Sequence, residues 1–279
     1  MEYMPKVDIN KKRGYDAIVP IKRMWSEIEN GIIDGRLCVP LGENNQGRGE
    51  CIKLGKDLHI LAAGEMLSGV GMFRRVALAT LLKFNKPEDL KFILIDPLYI
   101  SFADFKNIDD YLLFPIITQS NEAVKSLEWL NSEIDARMVL LNGKKYRYID
   151  EYNDANLKDK KPNIVVFITE LGELIDFDSK GADKLITRIF QLSKCAGVHL
   201  IINTQRASSS VTGLIKAHAT AKIAFKAGDE TESISILSKS GAEKLLGQGD
   251  MLVESSQWNK AQRLQGYYLS DEDIQGLVF

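Results

Sequence analysis

From Leu37 onward the chain alternates short, nearly continuous apolar runs with longer amphipathic stretches. That alternation predicts a doubly wound α/β domain, a mostly parallel sheet covered by helices on both faces. The strands predicted are Leu58 to Gly64, Phe92 to Asp96, Ile164 to Thr169, Val198 to Thr204, Ala221 to Phe225 and Asp250 to Glu254. The first four are almost free of polar positions, as strands buried on both faces require. Between them the helical period covers Met72 to Phe84, Asn121 to Asn142, Gly181 to Ala196 and Thr231 to Lys239. Pro87 stops the first helix, and Gly143 and Gly197 follow two of the others. Lys144 to Lys161 is polar, lysine-rich and tyrosine-bearing, an exposed excursion ahead of a central strand. Residues 1–36 are charge-rich, with Ile21, Met24, Trp25 and Ile28 at helical spacing between Pro20 and Gly31. The expected organisation is an accessory arm over residues 1–36 and one domain over 37–279.

Composition adds limits. The 279 residues carry 36 Lys+Arg against 38 Asp+Glu, a formal charge of −2 at pH 7, with 45% hydrophobic and 27% charged positions. This is ordinary globular usage, which excludes a disordered, collagenous or coiled-coil chain. Near-neutrality argues against holding nucleic acid through overall basicity and leaves a local basic patch or a ring pore. Cys38, Cys51 and Cys195 are too few and too scattered for a disulfide framework, and none has a metal-ligand spacing. A reduced, cytoplasmic setting fits. The longest charge-free stretches, residues 111–121 and 195–205, fall short of the roughly 18 to 20 apolar residues of a membrane span, and Met1 to Arg13 lacks an apolar signal core. The expectation is a soluble polypeptide, or the soluble part of a membrane-anchored parent.

In open α/β sheets ligands sit beyond the carboxyl ends of the strands, most often at the turn from the first strand into the first helix. That turn is Gly64-Glu65-Met66-Leu67-Ser68-Gly69-Val70-Gly71. Its glycine spacing matches the phosphate-binding pattern G-x-x-x-x-G-K-[ST] in the required strand-to-helix context. The chemistry-bearing positions differ: Val70 stands where lysine would neutralise phosphates, and Gly71 where a hydroxyl would ligate Mg²⁺. Glu65 adds a negative charge, and Leu67 replaces a frequent third glycine. Backbone N–H groups at the helix start remain able to attract an anion, but two glycines five apart taken alone fit a ligand-free tight turn better.

The strand Ile164 to Ile168 ends in Thr169-Glu170, where a P-loop ATPase carries an Asp for Mg²⁺ and a Glu to activate water. The Glu is present; Thr169 replaces the Asp. A lone Glu at a strand end also serves simply as a helix N-terminal charge. After the next strand come Thr204-Gln205-Arg206, polar residues placed to sense a phosphate or to cap a turn. A dinucleotide site would have Asp96 ending its second strand, but the glycine spacing is wrong for G-x-G-x-x-G. His59, His199 and His218 lie in or near apolar segments, as structural histidines do.

Ile164 to Glu170, Ala196-Gly197-Val198-His199-Leu200-Ile201-Ile202-Asn203-Thr204-Gln205-Arg206, Val211 to Lys216 and Gly241-Ala242-Glu243-Lys244-Leu245-Leu246-Gly247-Gln248-Gly249-Asp250-Met251-Leu252 stand in a specific order. With Ile95-Asp96-Pro97 and the helix bearing Glu133 and Arg137, they resemble the motor domain of FtsK/SpoIIIE DNA translocases from about Val39 to Phe279. The resemblance implies a RecA-like P-loop ATPase fold, hexameric rings around double-stranded DNA, and ATP with Mg²⁺ hydrolysed at subunit interfaces. It puts Gly64, Ser68, Gly69, Val70 and Gly71 at the nucleotide, Glu170 at the catalytic acid and Gln205 at the γ-phosphate sensor. Besides Val70, Gly71 and Thr169, Glu230 and Ile234 stand where the family usually has basic residues, and Ala207 replaces a proline.

The departures concentrate on the phosphate and Mg²⁺ positions. Removing one electrostatic partner of a transition state costs about 10²- to 10³-fold in rate, so the expectation is a degenerate module without ATP hydrolysis of its own. Such a module would act as a ring, DNA-contact or regulatory subunit, self-associating or co-assembling with an active paralogue. Arg206 and Lys216, with the lysines of Lys144 to Lys161, are the candidate DNA contacts. Two alternatives stay open: an active double-stranded DNA translocase in which Arg74 or Arg75 replaces the lysine, and a type VII secretion-like module that binds export substrate peptides.

Overall fold

The computed structural model describes residues 18–55, 59–105, 107–205 and 213–277. In chain order the elements are β1 (Val19–Pro20), α1 (Lys22–Glu29), β2 (Cys38–Glu43), β3 (Gly49–Lys53), β4 (His59–Ala63), α2 (Val70–Phe84) and β5 (Leu90–Ile95). There follow α3 (Ser120–Lys144), α4 (Ile149–Ala155), β6 (Asn163–Ile168), α5 (Leu171–Phe177), α6 (Ser179–Ala196) and β7 (Val198–Thr204). The chain then forms α7 (Gly213–His218), β8 (Ala221–Phe225), α8 (Glu230–Leu237), β9 (Asp250–Ser255), β10 (Gln262–Tyr268) and α9 (Asp271–Gln275). The six predicted strands are β4 to β9 and the four predicted helices of the domain are α2, α3, α6 and α8, each within two residues of its expected bounds. None of the described helices is long and apolar enough to cross a membrane.

One ten-stranded sheet runs β3-β2-β10-β9-β8-β4-β7-β6-β5, with β1 alongside β10. The half β8-β4-β7-β6-β5 is parallel throughout, and β9, β10, β2 and β3 continue it as an antiparallel wing. The wing strands β2 and β10 escape the sequence pattern because Pro40, Gly42 and Gly266 interrupt their apolar alternation. At Gly42 the interruption has a packing cause, since a Cβ there would fall 2.0 Å from the Gln265 carbonyl oxygen across the strand pair.

Two apolar layers sandwich the sheet. On one face α2 packs with α1 over β2, through Met24, Trp25, Phe73, Ala77 and Leu81. The Trp25 indole N–H donates to Thr80 Oγ1 at 2.8 Å, so α1 is held by a buried hydrogen bond as well as by apolar area. On the other face α3, α5 and α6 pack through Leu127, Leu130, Ile134, Leu174, Ile186 and Ile189. Side chains of this kind stabilise by about 1.5 to 3 kcal/mol each when fully buried. The polar stretch after Lys144 differs from its expected exposed form: it contains α4, whose Ile149 and Tyr152 are buried beside Leu141.

The buried Arg137 of α3 ties this second layer to the sheet. Its Nη1 donates to the carbonyls of Pro162 and Ala196, both at 2.8 Å, and its Nε donates to Glu133 at 2.8 Å. It thereby joins the entry of β6 to the end of α6. Because β4 lies between β7 and β8, the connections leaving β4 and β7 run to opposite sides of it. That makes the carboxyl end of β4 the switch point at which a crevice opens.

Candidate functional site

The turn leaving β4 owes its glycines to packing. Gly69 has φ 127° and a Cβ there would stand 2.8 Å from the Gly249 backbone; at Gly64 it would stand 2.7 Å from Phe225 Cβ. Gly249, itself at φ 91°, donates its N–H to Ser68 O at 2.8 Å and accepts from Gly266 N at 2.8 Å. The Glu65 N–H donates to Lys226 O at 2.8 Å, so β8 and the 247–249 turn clamp the loop from one side. Asp250 anchors that clamp through a buried two-point ion pair with Arg263, at 2.9 and 2.6 Å.

α2 starts at Val70, and its first intrahelical bond runs from Phe73 N to Gly69 O at 2.9 Å. Val70 is buried in the apolar layer under α2, and Gly71 is exposed. The Ser68 hydroxyl is buried with no hydrogen-bond partner among the described residues. Arg75 is held by Asp104 at 3.2 Å and Asp271 at 2.5 Å. Arg74 lies over the Phe102 ring, 5.7 Å from its centroid. Burial pushes the Arg74 pKa down to about 10, against the opposing pull of Asp96.

Glu170, only 5% exposed, caps α5. Its Oε1 accepts from Gly172 N at 3.2 Å and from Thr204 Oγ1 at 2.6 Å, and its Oε2 accepts from Gln205 N at 3.0 Å. Three of the roughly four lone-pair positions of the carboxylate are therefore occupied by the protein. Thr169 Oγ1 donates to Asp96 Oδ1 at 3.0 Å, and Asp96 Oδ2 accepts from Ser101 N at 2.7 Å.

Glu170 and Gln205 meet the β4 turn across a cleft of about 690 Å³ lined by Glu65, Met66, Leu98, Glu170, Glu173, Gln205, Gly228 and Glu232. Four of these carry carboxylates and none carries a cation. Glu65 and Glu232 converge on Gly228, whose N–H donates to Glu232 Oε2 at 2.9 Å while Glu65 Oε1 lies 3.0 Å from where a Cβ would stand. Among the described residues no group of three or more His, Cys, Asp and Glu side chains is arranged to hold a metal ion.

The structure thus brings Gly64, Ser68, Gly69, Val70 and Gly71 together with Glu170 and Gln205 at the switch point. Lys216 lies on α7 and donates to the Ile234 carbonyl at 2.6 Å near the end of α8, while desolvation lowers its pKa. Arg206 lies outside the described residues. Glu173, Glu232 and Leu98 were not expected in the cleft. Glu173 had a signal, falling one helical turn after Glu170; Glu232 reaches the site only because β8 lies beside β4.

The profile of the FtsK/SpoIIIE family matches residues 32–209. DNA translocase SpoIIIE of Bacillus subtilis (strain 168) is 36% identical over 272 residues, covering 94% of this chain and 34% of that protein. The chain therefore spans about a third of its relative's length. Among solved structures, the pCW3 conjugation coupling protein TcpA, in its monomer form with ATPγS, superposes with a TM-score of 0.71 at 26% identity. That match covers 88% of this chain and 69% of TcpA. The cytoplasmic domain of the Thermomonospora curvata type VII secretion ATPase EccC shares the fold, with a TM-score of 0.71 at 20% identity over 87% of this chain and 31% of its own. The mostly parallel sheet is that of P-loop ATPases, and the chain belongs to the FtsK/SpoIIIE family.

Proposed function

We propose that this chain is a translocase-family module that does not hydrolyse ATP itself and serves as a ring, DNA-contact or regulatory subunit of a DNA-handling assembly. The observation that carries the reading is the cleft at the carboxyl end of β4, where the described lining residues include four carboxylates and no cation. A nucleoside triphosphate brings several negative charges to that position. In the working site a lysine and a Mg²⁺ ion offset them; here Val70 is buried in the core and Gly71 has no side-chain hydroxyl.

The donor set does not fit a Mg²⁺–triphosphate. Arg75 is committed to two aspartates, and Arg74 lies against Phe102 and Asp96, which counts against either as a substitute cation. Glu170 is occupied as a helix cap and crosslink to β7. DNA is the expected partner on the strength of the DNA translocase relatives. The test is a calorimetric titration with Mg·ATP alongside a steady-state phosphate-release assay, with and without duplex DNA. No sub-millimolar binding and no turnover are expected. Tight binding with turnover abolished in Glu170→Gln overturns the proposal.

A further inference from the structure

Away from the cleft, the fold brings together two of the three cysteines. β2 and β3 pair antiparallel with Cys38 opposite Lys53 and Pro40 opposite Cys51. Side chains alternate along a strand, so Cys38, Pro40, Cys51 and Lys53 share one face of the hairpin. Cys38 and Cys51 are diagonal neighbours on that face. Cys38 is fully buried and Cys51 is partly exposed. Lys53 Nζ is buried, has Asp34 as an ion-pair partner at 3.5 Å, and has no hydrogen-bond partner among the described residues.

These contacts make the two sulfurs unlike. The neighbouring Cys38 thiol, together with the Lys53 charge, lowers the Cys51 pKa against its own desolvation. Cys38 is raised, first by its interaction with Cys51 and then by burial. A partly exposed sulfur with a thiol and a cation on the same face is the arrangement of an attacking thiolate, and a protonated diagonal neighbour is positioned to resolve what the attack forms.

We propose that Cys51 and Cys38 form a redox-reactive dithiol, with Cys51 the nucleophile toward low-molecular-weight disulfides and Cys38 the resolving thiol. In the first step the Cys51 thiolate attacks one sulfur of the small disulfide, forms a mixed disulfide and releases one small thiolate. In the second the Cys38 thiol gives up its proton and attacks the Cys51 sulfur. The Cys38–Cys51 bond forms, the second small thiolate leaves, and one of the two released thiolates takes up the Cys38 proton. The protein loses two electrons and the small disulfide gains them. Lys53 acts as a positioning residue that holds charge beside Cys51. The product pins the hairpin at the sheet edge, where β2 lies against β10.

The test treats the intact chain with glutathione disulfide, blocks remaining thiols by alkylation, and maps the cysteine peptides by mass spectrometry. The expected product is an intramolecular Cys38–Cys51 peptide pair, with Cys195 alkylated as an internal control. In Cys38→Ser the glutathione adduct is expected to persist on Cys51, and in Cys51→Ser no adduct forms at Cys38. Lys53→Gln is expected to slow alkylation of Cys51 several-fold and leave Cys195 unchanged, with an unaltered far-UV spectrum showing that the fold is kept. Alkylation of Cys38 and Cys51 no different from that of Cys195, or crosslinks running through Cys195 or between chains, overturns the proposal.

Discussion

The residues from Gly64 to Gly71 face two ways, and the two sides obey different rules. On the inner side Gly69 is pressed against the Gly249 backbone and Gly64 against Phe225, where no Cβ can be placed. On the outer side Glu65, Met66 and Leu67 project toward the cleft or solvent, with Leu67 92% exposed and in the left-handed region at φ 63°. Packing alone fixes the glycines, without reference to any phosphate. The outer side chains are not set by packing, so they carry the information about ligands. A glycine spacing read from sequence therefore reports the fold of the turn, whereas the exposed Gly71 and the carboxylates facing the cleft report its chemistry.

The inner side makes the strongest prediction. Gly69→Ala combines a disfavoured backbone with a Cβ 2.8 Å from the Gly249 backbone. Strain and overpacking together are expected to cost about 4 kcal/mol, seen as a melting temperature lower by about 10 °C. A change below about 1 kcal/mol in denaturant unfolding would show that the clamp yields and that packing does not explain the glycine.

A smaller effect is expected one step further from the turn. Arg263→Met strands Asp250, whose side chain is 3% exposed, and should cost about 3 kcal/mol. The Asp250→Asn/Arg263→Met pair removes the uncompensated charge while keeping an acceptor for Leu246 N, and should recover most of that loss. If the double variant is as unstable as the single, the clamp depends on the ion pair itself rather than on freedom from buried charge.

The same division explains what the sequence made legible. β4, β6 and β7 were readable because strands buried on both faces leave continuous apolar runs, and α2, α3, α6 and α8 because their periods end at Pro, Gly or polar breaks. Within the wing, β2 and β10 were not, since Gly42 and Gly266 answer to strand crossings that only the assembled sheet creates. At the site, Gly64, Glu170 and Gln205 were readable from their places at strand ends. Glu232 and the clamp of Gly249 on Ser68 were not, because both depend on β8, β9 and β10 lying on the far side of β4.

The opposite, amino ends of the strands offer a contrast in pH response. His59 is buried, its Nδ1 accepts from Leu200 N at 3.2 Å and its Nε2 lies 2.8 Å from Ser193 Oγ, which makes the neutral ring the bonded form. Desolvation first, then His199 and His218, hold its pKa well below the ordinary histidine value of 6.5. The unfolded chain then binds the proton more readily, so this stability is complete above about pH 6.5 and lost as pH falls below it, at up to about 1.4 kcal/mol per pH unit. His59→Gln should flatten the acid limb of a stability profile measured by urea unfolding. An unchanged limb would assign the acid sensitivity to the carboxylates around the cleft instead.

The smallest effect decides how independent the outer side of the turn is. Leu67 is a non-glycine residue in a left-handed conformation whose side chain makes little contact, so its replacement loses almost no packing. Asparagine tolerates that conformation better than leucine and, unlike glycine, adds little freedom to the unfolded chain. Leu67→Asn should therefore stabilise by about 0.5 to 1 kcal/mol, and Leu67→Gly by less, because relief of strain is offset by unfolded-state entropy. If both variants instead destabilise by more than about 1 kcal/mol, Leu67 is held by a contact and the outer side answers to the fold after all. If the expected order appears, the strained leucine is a feature that stability does not require, and its reason must be sought in what approaches the cleft.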